Sequence, residues 1–299
     1  VKTLQEAIYS RTFFYMGLTV ALNGIDKTSL ELAQMGKRNI IKKRLKRKYK
    51  TLLNAPLETN KSESTGDFVW TSWLQGENEA PKIVKKSINS LRKNFKNKTV
   101  VVIDKDNIND YVSLPTNIME KWKKGIISNA HFSDILRTYL LLRYGGVWVD
   151  ATVLLKKIPD SIAEEINHRL FFFQNLRPGQ SGNAIWLSSW LISARKNEPV
   201  LRRTYELLIK YWEDHKRLDD YFLFHIILHL VLENNQSVMN AVKKVPNSLP
   251  LMLMYRLRDD ENQEVINETF NQFPIQKVTY KKMPEEGSNY NYLEINEII

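Results

Sequence analysis

Asp134 and Arg137 stand three residues apart, and Asp150 closes the same 17-residue stretch. Three apart on a helix means one shared face, so a carboxylate sits beside a planar fork of donors. Alone, such a pair is most often an intrahelical ion pair, and a lone acid at a strand end is most often a turn residue. Other strand ends carry more: Trp70 and Trp73 at one, Asp104 at a second, Asp150 at a third. In an open α/β sheet, ligands bind outside the carboxyl ends of strands. Converging on one edge, these residues supply a flat aromatic face and two carboxylates. That set suits a nucleotide with a metal-bound diphosphate: a ring to stack a base, and oxygen ligands for a hard cation.

The surrounding elements must bring these residues to one edge. Residues 67–73 are β-rich. Residues 81–95 place Ile83, Val84, Ile88, Leu91 and Phe95 at helical spacing behind Pro81, which suits a first helical turn. Residues 99–103 are a continuous apolar run, the pattern of a buried parallel strand. Residues 128–144 predict a helix stopped by Gly145-Gly146, and 147–149 a further strand. Strand, helix, strand, helix, strand means an α/β sheet. Beyond it, 170–173 predict a strand, 199–211 and 220–233 predict helices, and a short strand is expected near 277–280. Phe171-Phe172-Phe173 reads as core, as do Trp186 and Trp190.

The 299 residues are 43% hydrophobic and 26% charged, which excludes a disordered or collagen-like chain. Zero Cys excludes a disulfide scaffold, a thiolate zinc site and a Cys nucleophile. The net charge is +11, and residues 1–50 carry most of it, with 12 Lys/Arg against 3 Asp/Glu. No apolar run reaches the roughly 18 residues of a membrane span. The run 13–22 lacks a signal-peptide cleavage pattern. Val1 in first place leads to the expectation that the natural chain starts upstream. Residues 4–22 and 28–50 predict two helices broken near Asn23-Gly24. Ile40, Ile41 and Leu45 interrupt a Lys/Arg run over 37–50 at helical spacing, as in a basic interfacial helix on anionic lipid. The competing reading packs this helix on the body. The body lacks the basic and aromatic stripe of a nucleic-acid track, so no nucleic-acid partner is expected. A polar linker over 59–66 divides a helical basic segment, 1–58, from a body, 67–299.

The central stretch reads His131-Phe132-Ser133-Asp134-Ile135-Leu136-Arg137, then Tyr144-Gly145-Gly146-Val147-Trp148-Val149-Asp150-Ala151-Thr152. It resembles the sugar-transferase superfamily with an Asp-x-Asp motif, whose wider pattern is S-D-x-x-R followed by Y-G-G-x-Y-x-D-x-D. The W-V-D-A-T version resembles the capsular polysaccharide synthesis branch, as does Trp70-Thr71-Ser72-Trp73-Leu74-Gln75-Gly76 with Pro81. The similarity spans residues 67–282. It implies a GT-A, Rossmann-like nucleotide-sugar-binding sheet, a divalent cation (Mn²⁺ or Mg²⁺) and retention of anomeric configuration. Carried over by position, Asp134 and Arg137 hold the donor sugar hydroxyls, and Asp150 meets the ribose and the metal. Trp73, or else Trp70, stacks on the base, Asp104 is a ribose or base contact, and Ser189 borders the donor sugar.

One departure stands out. The second acid of Asp-x-Asp, which commonly touches the metal in the wider superfamily, is Thr152 here. A hydroxyl is a weaker ligand, so the expected metal set is Asp150, Thr152, the two phosphates and water. Lys277 and Lys281 are expected to close over the diphosphate. Asp220 is the acceptor-side candidate, and His225 reads as packed within its helix.

The resemblance therefore implies a hexosyltransferase that uses UDP-galactose or UDP-glucose. Its expected acceptor is a lipid-diphosphate-linked glycan in capsule repeat-unit synthesis, at the cytoplasmic membrane face. The alternatives are a nucleotide-sugar hydrolase, a sugar-phosphate transferase, or a non-catalytic nucleotide-sugar-binding scaffold.

Overall fold

The computed structural model describes residues 7–58, 65–168, 170–175, 184–281, 283–284 and 286–297; residues 59–64 of the expected linker lie outside them. The chain first forms two helices, α1 (Phe13–Asn23) and α2 (Lys27–Lys48). Gly24, at φ +91°, takes the left-handed turn that ends α1. Asp26 then caps α2 by accepting from the Ser29 amide. Residues 211–233 supply partners of α2 and of the turn after it. Ile41, Leu45, Tyr49 and Leu53 are buried in the same apolar cluster as Tyr211, Trp212 and Phe224.

The basic run also faces inward. Lys37 and Arg38 reach Asp220 at 3.2 and 3.5 Å, and Arg44 reaches Asp219 at 3.1 Å. Lys42 and Lys46 reach Glu233 at 2.9 and 3.2 Å, and Lys48 reaches Asp214 at 3.2 Å. Residues 37–48 thus pair with acids of the body, in line with the reading that packs this helix on it. The apolar surface left open lies on α1 and just beyond it: Phe14 is 90% exposed, Leu22 75% and Ile25 79%. No helix among the described residues is long and apolar enough to cross a membrane.

The body is an α/β sheet, as its alternation predicts. Its strands are β1 (Phe68–Ser72), β2 (Thr99–Ile103), β3 (Gly146–Val149), β4 (Val153–Leu155), β5 (Phe171–Gln174), β6 (Leu187–Ala194) and β7 (Ile275–Lys277). Five of them run in the order β2-β1-β3-β6-β5, with β4 and β7 paired separately. β1 is parallel to β2 and to β3, while β6 runs antiparallel to β3 and β5. The parallel crossovers are made by α3 (Lys82–Asn94) and α4 (Asn129–Tyr144). Two later helices, α5 (Pro199–Asp214) and α6 (Leu223–Glu233), complete the side that receives α2.

The joint between α4 and β3 needs glycine. Gly145 and Gly146 sit at φ +71° and +100°, and a Cβ on Gly146 would stand 2.3 Å from the Phe68 carbonyl oxygen. That close approach lets β3 lie beside β1 immediately after a helix ends, which brings Asp150 to the sheet rim next to α4.

Candidate active site

α4 offers Asp134 and Arg137 on one face, as the three-residue spacing requires. Their nearest atoms are 3.3 Å apart, and both residues are buried. Arg137 then crosses to the next elements. One Nη donates to the Ser189 carbonyl on β6 at 2.8 Å, and the other to Asp150 Oδ1 at 3.3 Å. The guanidinium also lies 5.1 Å above the Trp148 ring and 5.8 Å from that of Phe224. One planar fork thus ties α4, the end of β3 and β6 together, with Asp134 and Asp150 on either side of it.

Asp150 is the most heavily solicited group. Trp148 Nε1 donates to its Oδ1 at 2.9 Å, and Lys277 Nζ at the end of β7 donates to its Oδ2 at 2.9 Å. The same ammonium donates to the Thr152 hydroxyl. Burial pushes the Asp150 carboxyl upward. The charges of Lys277 and Arg137 and the donated hydrogen bonds outweigh it, and hold the group below its ordinary value, so it is ionised. His225, on α6, is driven down to about 4, chiefly by burial, and is neutral near pH 7.

These residues wall a cleft of about 400 Å³, within the range of sites for small organic ligands. Of the residues singled out in the sequence, Trp73, Asp134, Arg137, Asp150, Thr152, Ser189, Lys277 and His225 line it, and so does Trp190, which was expected in the core. Trp73 packs edge-on against Tyr280, with ring centres 5.2 Å apart.

Four sequence candidates sit elsewhere. Trp70 is fully buried: its indole donates to the Gly145 carbonyl at 2.9 Å and stacks on Phe68. It pairs with Trp148 in the strand register, and its ring belongs to the core cluster. Asp104 spends its Oδ1 on the amides of Asp106 and Asn107, closing the turn after β2, and does not line the cleft. Asp220 lies under the wall, held by Lys37 and Arg38 and accepting from the Phe222 amide. Lys281 is exposed beside the Tyr280 ring, off the cleft. Tyr221, Tyr280, Asn175 and Asn247 line the cleft without having been singled out. Tyr221 directly follows Asp220, and Tyr280 lies between Lys277 and Lys281. The asparagines, bonded to each other at 3.2 Å, carry no signal in the sequence.

The donor set does not fit the divalent cation that the resemblance implies. Asp150 is the one carboxylate at the motif, both its oxygens are engaged, and Thr152 already accepts from the ammonium. Among the described residues no group of three His, Cys, Asp or Glu side chains converges.

The family model described as "Capsular polysaccharide synthesis protein" matches residues 23–295. The O-glycosyltransferase PaGT of Phomopsis amygdali is 27% identical over 163 residues, 49% of this chain and 39% of its own length. The O-glycosyltransferase braB of Annulohypoxylon truncatum is 25% identical over 203 residues, 62% of this chain and 47% of its own. The matches thus span less than half the length of these curated relatives. Among solved structures, the PaToxG glycosyltransferase aligns with a TM-score of 0.40 and 14% identity, covering 87% of this chain and 96% of that one.

Proposed function

This chain belongs to the capsular polysaccharide synthesis protein family, and from that premise we propose that it is a retaining glycosyltransferase. It moves a hexose, galactose or glucose, from a UDP-sugar to a lipid-diphosphate-linked glycan of a capsule repeat unit. The observation that carries the reading is the run Asp134–Arg137–Asp150 along one wall of a cleft that also presents the Trp73 ring.

In the proposed reaction, the bond from the anomeric carbon to the β-phosphate oxygen breaks, and its electron pair leaves with the nucleoside diphosphate. The acceptor hydroxyl bonds to the same face of that carbon, and its proton passes to the departing phosphate oxygen. The Trp73 ring stacks on the base. Asp134 accepts from sugar hydroxyls, and Arg137 keeps both carboxylates in place while its charge offsets theirs. Lys277 faces the developing negative charge. This reading takes the same-face attack as direct, without a covalent intermediate.

The acceptor's lipid is met by the open apolar side of α1, with Phe14, Leu18, Leu22 and Ile25 exposed and Lys43, Arg47 and Lys50 also at the surface. This reading makes the protein peripheral at the cytoplasmic membrane face.

The test is a screen of nucleotide sugars for UDP release, with and without a lipid-linked glycan. Transferase activity appears as UDP release from one UDP-hexose, raised by the acceptor, with the new glycoside retaining configuration. Release indifferent to acceptor makes the protein a hydrolase, UMP as product a sugar-phosphate transferase, and binding without turnover a scaffold.

A further inference from the structure

Lys277 stands between the two motif positions Asp150 and Thr152. Its ammonium is 2.9 Å from Asp150 Oδ2 and hydrogen-bonded to the Thr152 hydroxyl. We propose that this ammonium is the resident cation of the site, and that the protein binds and cleaves its nucleoside-diphosphate sugar without a divalent metal. The inference rests on the nucleotide-sugar reading above and goes beyond it.

Three observations carry it. The first is the pairing of Thr152 with Lys277. Two acids at the motif suit a doubly charged ion, whereas one acid and one hydroxyl match an ammonium in charge and in hydrogen-bonding sense, since both oxygens accept what Lys277 donates. The second is crowding by positive charge. Asp150 already serves Arg137 at 3.3 Å as well as Lys277, so a divalent ion on the same carboxylate meets two fixed cations at contact range. The third is placement. Lys277 is the last residue of β7, whose pairing with β4 sets it directly opposite Val153, beside Thr152. Lys277 is thus fixed by a strand register rather than by a loop, and its side chain lines the cleft. An ammonium has three donors. Asp150 and Thr152 take two, and the third is available to a phosphate oxygen in the cleft.

In the transfer step Lys277 stabilises the charge that the β-phosphate gains when the sugar bond breaks. The ammonium keeps its proton throughout, so nothing is added to the reaction's balance. Lys277 is thereby a catalytic residue, and Thr152 a positioning residue that holds it.

The experiment is calorimetric titration of the full chain with UDP and with UDP-glucose, in EDTA and in excess Mn²⁺, backed by initial rates of UDP release under the same two conditions. The expected result is affinity and rate equal within about twofold in the two conditions. Lys277→Ala should lower the affinity in EDTA by about tenfold, the scale of a lost charge-assisted hydrogen bond, with a thermal melt reporting that the fold is kept. Lys277→Arg should recover part of it. The double variant Thr152→Asp with Lys277→Ala should acquire Mn²⁺-dependent binding. Binding or release in the parent that disappears in EDTA and returns with Mn²⁺ overturns this inference while leaving the nucleotide-sugar reading intact. No binding of either ligand in either condition overturns both.

Discussion

At the scale of single residues, Arg137 does the most joining, since it bonds Ser189 and reaches both Asp134 and Asp150. Arg137→Lys keeps the charge but cannot span three partners with a planar fork. The expected outcome is a fall of about 10²-fold in kcat, on the scale of losing one preorganised donor, seen in initial rates of UDP release. The two tryptophans near the end of β1 separate function from packing. Trp73→Ala should weaken UDP binding by about tenfold through lost stacking, with little change in the melting temperature. Trp70→Ala should instead remove about 3–5 kcal/mol of stability, read from denaturant unfolding. The sequence put Trp73 first and Trp70 second for the stacking role. The structure separates them: Trp70 is fully buried with its indole bonded to the Gly145 carbonyl, whereas Trp73 lines the cleft.

At the scale of elements, the pairing of α2 with the region around α6 controls stability. Asp220 is 3% exposed and meets two cations. Asp220→Ala leaves Lys37 buried without that carboxylate and should cost about 3–5 kcal/mol, measured by chemical denaturation. α6 also sets a pH limit. Burial drives His225 and His229 down to about 4, and for His229 the Lys42 ammonium, 3.3 Å from Nε2, adds to the effect. The folded values lie below the unfolded value near 6.5. The unfolded chain therefore binds more protons between these limits. The contribution is fully present above about pH 6.5 and is lost as pH falls toward about 4. Melting temperatures should drop steadily over that window, and the double variant His225→Gln with His229→Gln should flatten the slope. The sequence displayed α4, β3 and the glycine joint plainly, because they are local and contiguous. It hid the roles of Asp220 and of the Lys/Arg run, because their partners lie 166 to 191 residues away and a charge run looks the same whether it faces acids or water.

At the scale of the molecule, the neutralised face of α2 and the open apolar side of α1 divide the labour of the N-terminal segment. Deleting residues 1–50 would strip Ile41, Leu45 and Tyr49 from the core, so a vesicle experiment needs substitutions instead. Phe14→Ser with Leu22→Ser should lower co-sedimentation with anionic vesicles several-fold, since each large apolar side chain contributes roughly 1.5–3 kcal/mol when buried, while solution UDP release stays unchanged. Equal sedimentation by parent and variant would remove the membrane from the proposal.

The long separation between Lys42 and Glu233, or Arg44 and Asp219, also has a temporal side. During synthesis at about 5–20 residues per second, α2 leaves the ribosome some 10 s or more before its acidic counterparts exist. For that interval its basic face has none of the acids it meets in the finished fold. Nascent chains stalled near residue 200 should therefore be cut by protease within α2, and chains stalled well past residue 260 should resist.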